Sequence, residues 1–600
     1  MNNHEFCIYD FNQIDKLEEN DESVFHIQIF AKNMEGHDAS ITIQDYEPFF
    51  YIKLPSTWKG PEKNKLFEFL QAKLGTTLGQ ELLSSSLIQS KTLYGFDNGK
   101  KYNFMILRFS NMIAFNKCKS YWFEYADSVE DPATKEYCLK EKGLYYNKVH
   151  LQLYEANIPP ILRYLHIRKI SPSGWIKIDS KKAHCITEEN DKTTHCAYEY
   201  ISGQRYVTPL PEKEDRPPLN KMSMDCEMSS SHGDFPVPVK NYKKLASQMI
   251  ELFLEMPIGD KVTNEVLQTI LVAALTKPIH KDQTASNVPK IDLVFPKEPI
   301  EINEVNVRIQ MWLKAKVSDY ANDANVNELK KLNTLDKMFS KNNMRETTTT
   351  ASDKKTKDDN DDNSESDNDE SDNDDDNEEP AVSKSADIYA VGEYFQKDEK
   401  LVRCTPKKPK TTTIVDIIND SSFTKEGKLT ELLLSLNSAF PALQGDIVTF
   451  IGSTFLREGE KDMYLNHCIV LNTCDRLPTS NSVVEVYDTE REVLLAWTRL
   501  MHRENPDIVI GYNIFGFDYE FMFRRAKECG CADEFLTLSK NKDQMCAKFD
   551  FKTQEYDIER SSITISTGTY DLSIIKMPGR LQVDLLNYFR RTTIMSSYKL

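Results

Sequence analysis

Residues 223–236 read SMDCEMSSSHGDFP, with Asp225 and Glu227 one residue apart and a polar, glycine-bearing turn behind them. Carboxylates are disfavoured inside strands, and in a strand residues i and i+2 share a face. Asp225 and Glu227 therefore share one face, while Met222, Met224, Cys226 and Met228 share the other. The apolar face suits a core. The acidic face concentrates negative charge, which is costly unless cations sit on it. Bound metal ions are the chemistry such a face could support.

A lone D-x-E carries little weight in an acid-rich chain. A second stretch adds to it: ENPDIVIGYNIFGFDYEFMFRRAKE, residues 504–528. Asp507 to Gly511 read as a buried strand, Asn513 to Gly516 as a turn, and the rest as a helix. Asp518 then falls in the first helical turn, where exposed N–H groups and the helix dipole favour an anion. Taken alone, it would be a helix N-terminal acid with no chemical role.

The elements that must position these acids are spread over 600 residues, too many for one core. VFHIQIFAKNMEGHDASITIQDYEPFFYIKLP, residues 24–55, predicts a hairpin and a further strand. A helix is expected from about 60 to 90, then a strand in LYGFDNGKKYNFMILRF. LYEANIPPILRYLHIRKISPSGWIKI predicts a short helix, a turn and a strand. Beyond the first acidic motif, Leu245, Met249, Leu252 and Met256 mark an amphipathic helix, and NEVLQTILVAALTK a second. KLTELLLSLNSAF leads into GDIVTFIGSTF.

The net charge of −18 is concentrated in one place. Residues 358–379 hold 14 acidic residues and no basic one, leaving −4 for everything else. Overall charge therefore neither excludes nor supports a nucleic-acid partner. The tract is too polar to bury a core, so disorder is expected over 346–386, with Ser364, Ser366 and Ser371 as candidate phosphorylation sites. Twelve cysteines without a C-x-x-C pair argue against a zinc ribbon or a disulfide framework. No secretory signal and no apolar run of membrane-spanning length is visible, so an intracellular setting is expected.

SMDCEM with GDFP resembles the first motif of the DEDD-type 3′–5′ exonucleases found in family B DNA polymerases. GYNIFGFD resembles their second motif, N-x-x-x-F-D, carried by Asn513, Phe517 and Asp518. GRLQVDLLNYFRR, residues 579–591, is similar to a stretch of the delta-like branch, as are YGFDNG, LYEANIPPILRYLHI and SPSGWIKI. SSSHGDFP and the long insertion look most like polymerases of large DNA viruses.

The fold implied is α/β plus α+β: a β-rich N-terminal domain, then a ribonuclease-H-like exonuclease domain with a long insertion. Boundaries are expected at 1–220 for the N-terminal domain and 221–240 for the first exonuclease strand and turn. The insertion would occupy 241–440, and the remaining exonuclease domain 441–600. The resemblance implies two Mg²⁺ ions, or Mn²⁺ in their place. Asp225 would bridge them, Glu227 hold the ion that activates water, and Asp518 ligate from a facing helix. Phe235 would stack on the terminal base and Asn513 hydrogen-bond the frayed strand, although Phe235 could equally close the core beneath the turn. Asp584 is read as structural support. Implied partners are a single-stranded 3′ end, primer–template and deoxynucleotides, with a sliding clamp or other replication factors. No membrane is implied. The setting would be the nucleus or a virus replication site.

The third motif of the family, Y-x-x-x-D, is expected several tens of residues after GRLQ-x-D-L-L. Tyr394 to Asp398 match it formally but precede the second motif, so they are read as chance. The chain thus reads as the front of a longer replicative polymerase whose synthetic site lies beyond residue 600. A free-standing exonuclease would not need the N-terminal region. A silent nucleic-acid-binding scaffold would not need Asp225, Glu227 and Asp518 intact.

Overall fold

The computed structural model describes residues 4–17, 22–92, 98–126, 138–141, 143–230, 233–257, 260–276, 291–298, 300–317, 412–475, 481–542, 544–550, 554–565 and 568–593. The acidic tract, its three serines, Tyr394, Asp398 and the 346–386 expectation lie outside the described residues.

The N-terminal region holds two sheets. One has seven strands in the order His184–Ile186, Tyr198–Ser202, Asp38–Ile43, Ser23–Lys32, Glu5–Leu17, Trp175–Ile178 and Val207–Pro209. The expected hairpin is there, with Ile29 opposite Ile41. The first strand was not foreseen. A bulge between Ile8 and Asp10 shifts its register and interrupts the alternation that would have announced it.

The second sheet runs Leu82–Ser90, Tyr102–Phe109, Phe49–Leu54, Val149–Tyr154 and Leu144–Tyr146. Helices Gly60–Leu78 and Met112–Ser120 bury Leu66, Leu70 and Phe115 against Phe50, Ile52 and Leu107. The expected helix over 60–90 is therefore corrected: it stops at Leu78, and 82–90 is a strand paired to 102–109. Gly75, at φ 89°, already breaks the helical backbone, and pairing across the sheet decides the serine-rich remainder.

A helical unit follows the first acidic motif: Lys243–Glu255, Asn264–Leu275, Ile302–Lys314, Ile414–Asn419 and Lys425–Ala439. It has its own core, including Leu245, Met249, Leu267, Ile309, Trp312 and Leu432. Leu252 is only partly buried there, and Met256 lies just past the last helical residue.

The third sheet positions the acids. Its six strands run Ser482–Tyr487, Leu465–Leu471, Ile447–Arg457, Asn220–Ser229, Ile508–Gly511 and Leu581–Asp584. Asn220–Ser229 is central. It pairs antiparallel with Ile447–Arg457, from beyond the helical unit, and parallel with Ile508–Gly511. Helices Glu490–Glu504 and Asp518–Glu528 pack on this sheet and bring Trp497 and Phe521 into one core with Met222, Met224 and Ile451.

Candidate active site

The i, i+2 rule holds along the central strand. Met222, Met224 and Cys226 are buried, while Asp225 and Glu227 are exposed. Asp225 stands opposite Gly452 and Glu227 opposite Phe450, and the register slips between Glu227 and Met228. A bulge at that point re-aims side chains next to the acidic pair.

The second motif enters on the neighbouring strand. Asn513 adopts φ 64°, and its carbonyl accepts the N–H groups of Gly516 and Phe517, both at 3.0 Å. A Cβ at Gly516 would stand 2.3 Å from Asn513 Oδ1, so a larger residue there would push that amide aside. The turn releases the chain into helix Asp518–Glu528 with Asp518 as its first residue.

Asp518 is 3% exposed. Burial, then the neighbouring Asp225 carboxylate, push its carboxyl up to about 8, and Asp584 adds to the rise. Its own N–H and that of Cys226, on the central strand, pull the other way. Burial also raises Asp225. Cys226 registers the same cluster: burial drives its thiol up, and Asp518, Asp225 and Glu227 each reinforce the shift. Among the described residues, no lysine or arginine is ion-paired to Asp518 or Asp225. Among the described residues, likewise, no three His, Cys, Asp or Glu side chains stand close enough together to hold one ion. Asp518 lies near enough to Asp225 to feel its charge, and Glu227 stands on the same strand face as Asp225.

Phe235 does not close a core. It is 46% exposed, with its ring tilted against Phe517 at 5.2 Å between centres. Asp584 is buried, and its carboxylate accepts from the N–H groups of Asn513 and Phe515, both at 3.0 Å, and of Leu586 at 2.9 Å.

Sequence reasoning missed the ionic supports. Arg525, two turns along the helix from Asp518, binds Glu490 through Nε at 2.9 Å and Nη2 at 2.6 Å, and donates to the Pro238 carbonyl at 3.0 Å. It thereby ties that helix to the segment following the first motif. Asp507 was read as the start of a strand. It is wholly buried, paired to Lys32 of the N-terminal sheet and, at 2.6 Å, to Lys540. Lys540 also reaches Asp38 and the Tyr9 hydroxyl, both at 2.9 Å. No local pattern announces partners so far apart in sequence.

The family model for the exonuclease domain of DNA polymerase family B matches residues 151–289 and 432–600, more than half of the chain. The chain is 37% identical to a DNA polymerase of Phaeocystis pouchetii virus, covering 100% of this chain and 53% of that protein. A DNA polymerase of Pyramimonas orientalis virus is 26% identical over 99% of this chain and 41% of its own length. A DNA polymerase delta catalytic subunit of Arabidopsis thaliana is 32% identical over 27% of this chain and 14% of that protein. The chain spans about half the length of the two viral relatives. No helix among the described residues is long and apolar enough to cross a membrane. With the family match running through both acidic stretches, the chain belongs to the family B DNA polymerases, through their exonuclease domain.

Proposed function

We propose that this chain is the N-terminal and proofreading part of a replicative DNA polymerase, removing nucleotides from a frayed 3′ end by metal-dependent hydrolysis. The observation that carries the reading is the buried Asp518 carboxyl, raised by burial and by the nearby Asp225 charge, without a basic partner among the described residues. Two acids in such a place repel each other unless a cation joins them. The strand order, with three antiparallel strands meeting two parallel ones at the acidic strand, supports a ribonuclease-H-like domain.

Hard oxygen donors fit Mg²⁺, and Asp225, Glu227 and Asp518 would hold it. When bound, such an ion would supply Lewis-acid activation of water and charge stabilisation at the leaving 3′ oxygen. Asp518 gives up its proton on binding, because a ligating carboxylate must be ionised. Phe235 offers an exposed ring to the terminal base, and Asn513 borders the same turn with an amide for the strand. Asp584 fixes that turn through backbone N–H groups. Addition of deoxynucleotides to a primer–template belongs in this reading to the length of the viral relatives that the chain does not span.

The test is Asp225→Ala with Glu227→Ala in the full-length parent. Digestion of a labelled single strand should fall to background while nucleotide addition continues. Undiminished digestion would overturn the reading.

A further inference from the structure

The five-stranded N-terminal sheet has two unlike faces. Helices Gly60–Leu78 and Met112–Ser120 cover Phe50, Ile52, Leu54, Met105 and Leu107 on one. Pairing register assigns the other: Tyr51 lies beside Ile106 and Tyr154, and Lys53 beside Phe104 and Gln152. Tyr102, two residues before Phe104, shares that face. Helix Pro160–Arg168 reaches one corner, where Arg163 lies over Phe49 and Tyr51 at 4.4 and 5.4 Å. Farther along, Tyr102, Tyr154 and Lys53 are part-exposed, and Lys100 and Gln152 are exposed. Lys53 Nζ stands 4.1 Å from the Tyr102 ring centre and 5.9 Å from that of Tyr154, with Lys100 Nζ 5.4 Å from Tyr102. Among the described residues, no carboxylate is ion-paired to Lys53 or Lys100.

We propose that this sheet face is a second nucleic-acid site, binding single-stranded DNA with bases stacked on Tyr102 and Tyr154 and phosphates on Lys53 and Lys100. Charge and shape select the occupant. Part-exposed rings on a sheet face present flat surfaces to unpaired bases, and neighbouring lysines neutralise the strand's backbone. A duplex hides its base faces, so it could use the lysines but not the rings. Tyr154 is held edge-on to Phe104, 5.2 Å between centres, so its ring is ordered before a strand arrives. That lowers the ordering cost of binding. An exposed cation–π contact is weaker than base stacking on the same ring. Lys53 therefore leaves Tyr102 for a phosphate when a base takes the ring. The site lies on another sheet from Asp225 and does not rest on the exonuclease reading.

The experiment is fluorescence anisotropy of a labelled oligothymidylate on the 600-residue chain in EDTA, with photocross-linking of an iododeoxyuridine-containing strand mapped by mass spectrometry. Tyr102→Ala with Tyr154→Ala should weaken binding about tenfold or more at unchanged melting temperature. Lys53→Gln with Lys100→Gln should reduce the slope of log affinity against log salt by about 1.4. Cross-links should appear at Tyr102 or Tyr154. The Asp225→Ala, Glu227→Ala chain should retain those cross-links whatever becomes of its digestion, which separates failure of this site from failure of the acidic one. Unchanged affinity in the tyrosine variant, or cross-links confined to residues after 220, would overturn the proposal. Tighter binding of single-stranded RNA than of DNA would overturn the assignment of DNA as occupant.

Discussion

The Asn513 backbone N–H donates to the Asp584 carboxylate at 3.0 Å, so the turn that delivers Asp518 hangs on an acid from a different strand. The other carboxylate oxygen takes the Phe515 N–H, and Asp584 also caps helix Leu585–Thr592. One buried side chain thus sets two chain directions beside the acidic face.

Asp584→Asn should disturb that turn, because an amide has one acceptor oxygen where the carboxylate uses two. Leaving a buried N–H unpaired costs about 1–3 kcal/mol. The expected outcome is a lower melting temperature and, on the proposed function, a clear loss of digestion by the full-length parent with little change in nucleotide addition. Digestion at the original rate would show that the turn holds without the carboxylate.

Arg525→Ala should be far more damaging than its helical position suggests. It would leave Glu490 buried without its bidentate partner, and breaking a buried pair costs about 3–5 kcal/mol. Denaturant unfolding measures this directly. A loss below 1 kcal/mol, as for exposed pairs, would mean that Val448 N–H, which donates to Glu490 at 2.8 Å, suffices to hold the acid.

The junction between the N-terminal sheet and the helix Glu490–Glu504 should be sensitive to acid. His195 and His502 stack at 4.6 Å between ring centres. Burial, then the neighbouring His502 and the Arg580 guanidinium, depress His195 from 6.5 to about 4. Burial depresses His502 as well, with Arg580 adding to it against the Thr537 carbonyl. In the unfolded chain the imidazoles take protons earlier, so the stability they contribute is present above pH 6.5 and lost as pH falls towards 4. Melting temperature should therefore drop through that window. His195→Phe, which keeps an aromatic ring there, should flatten part of the drop, and an unchanged profile would assign the acid sensitivity elsewhere.

Lys540→Met should destabilise the chain by about 3–5 kcal/mol, since it strands Asp38 and Asp507 with less compensation in a fully buried site. Lys32 remains on Asp507 and limits the damage. Thermal unfolding of this variant beside Lys542→Met, a lysine on an exposed pair with Glu189, provides the contrast.

Local periodicity carried much of this structure. The alternation around Asp225 and Glu227, the Asn513–Gly516 turn and the amphipathic Leu245–Met249 helix are all written in residues a few positions apart. Strand Leu82–Ser90 was not legible, because its serines take their conformation from Tyr102–Phe109 across the sheet. The buried ion pairs were illegible for a different reason. Arg525, Asp507 and Lys540 look like surface residues until their partners arrive from distant segments. Phe235 was ambiguous between core and surface, and burial decides it: the ring is out, leaning on Phe517.

The buried charges around Asp507 also govern how the chain could be cut and recombined. By sequence, residue 220 looks like a seam, and a graft made there would join the front of one relative to the back of another. Yet Tyr9, Lys32 and Asp38 stand on one side of that cut, and Asp507 and Lys540 on the other. Asp10, too, accepts the N–H of Gly579 across it at 2.8 Å. A chimera would keep these pairs only where the other relative supplies the matching residue, since a lone member at Asp507 or Lys540 would be buried and unpaired. Exchange between relatives would succeed only where these residues travel as a set.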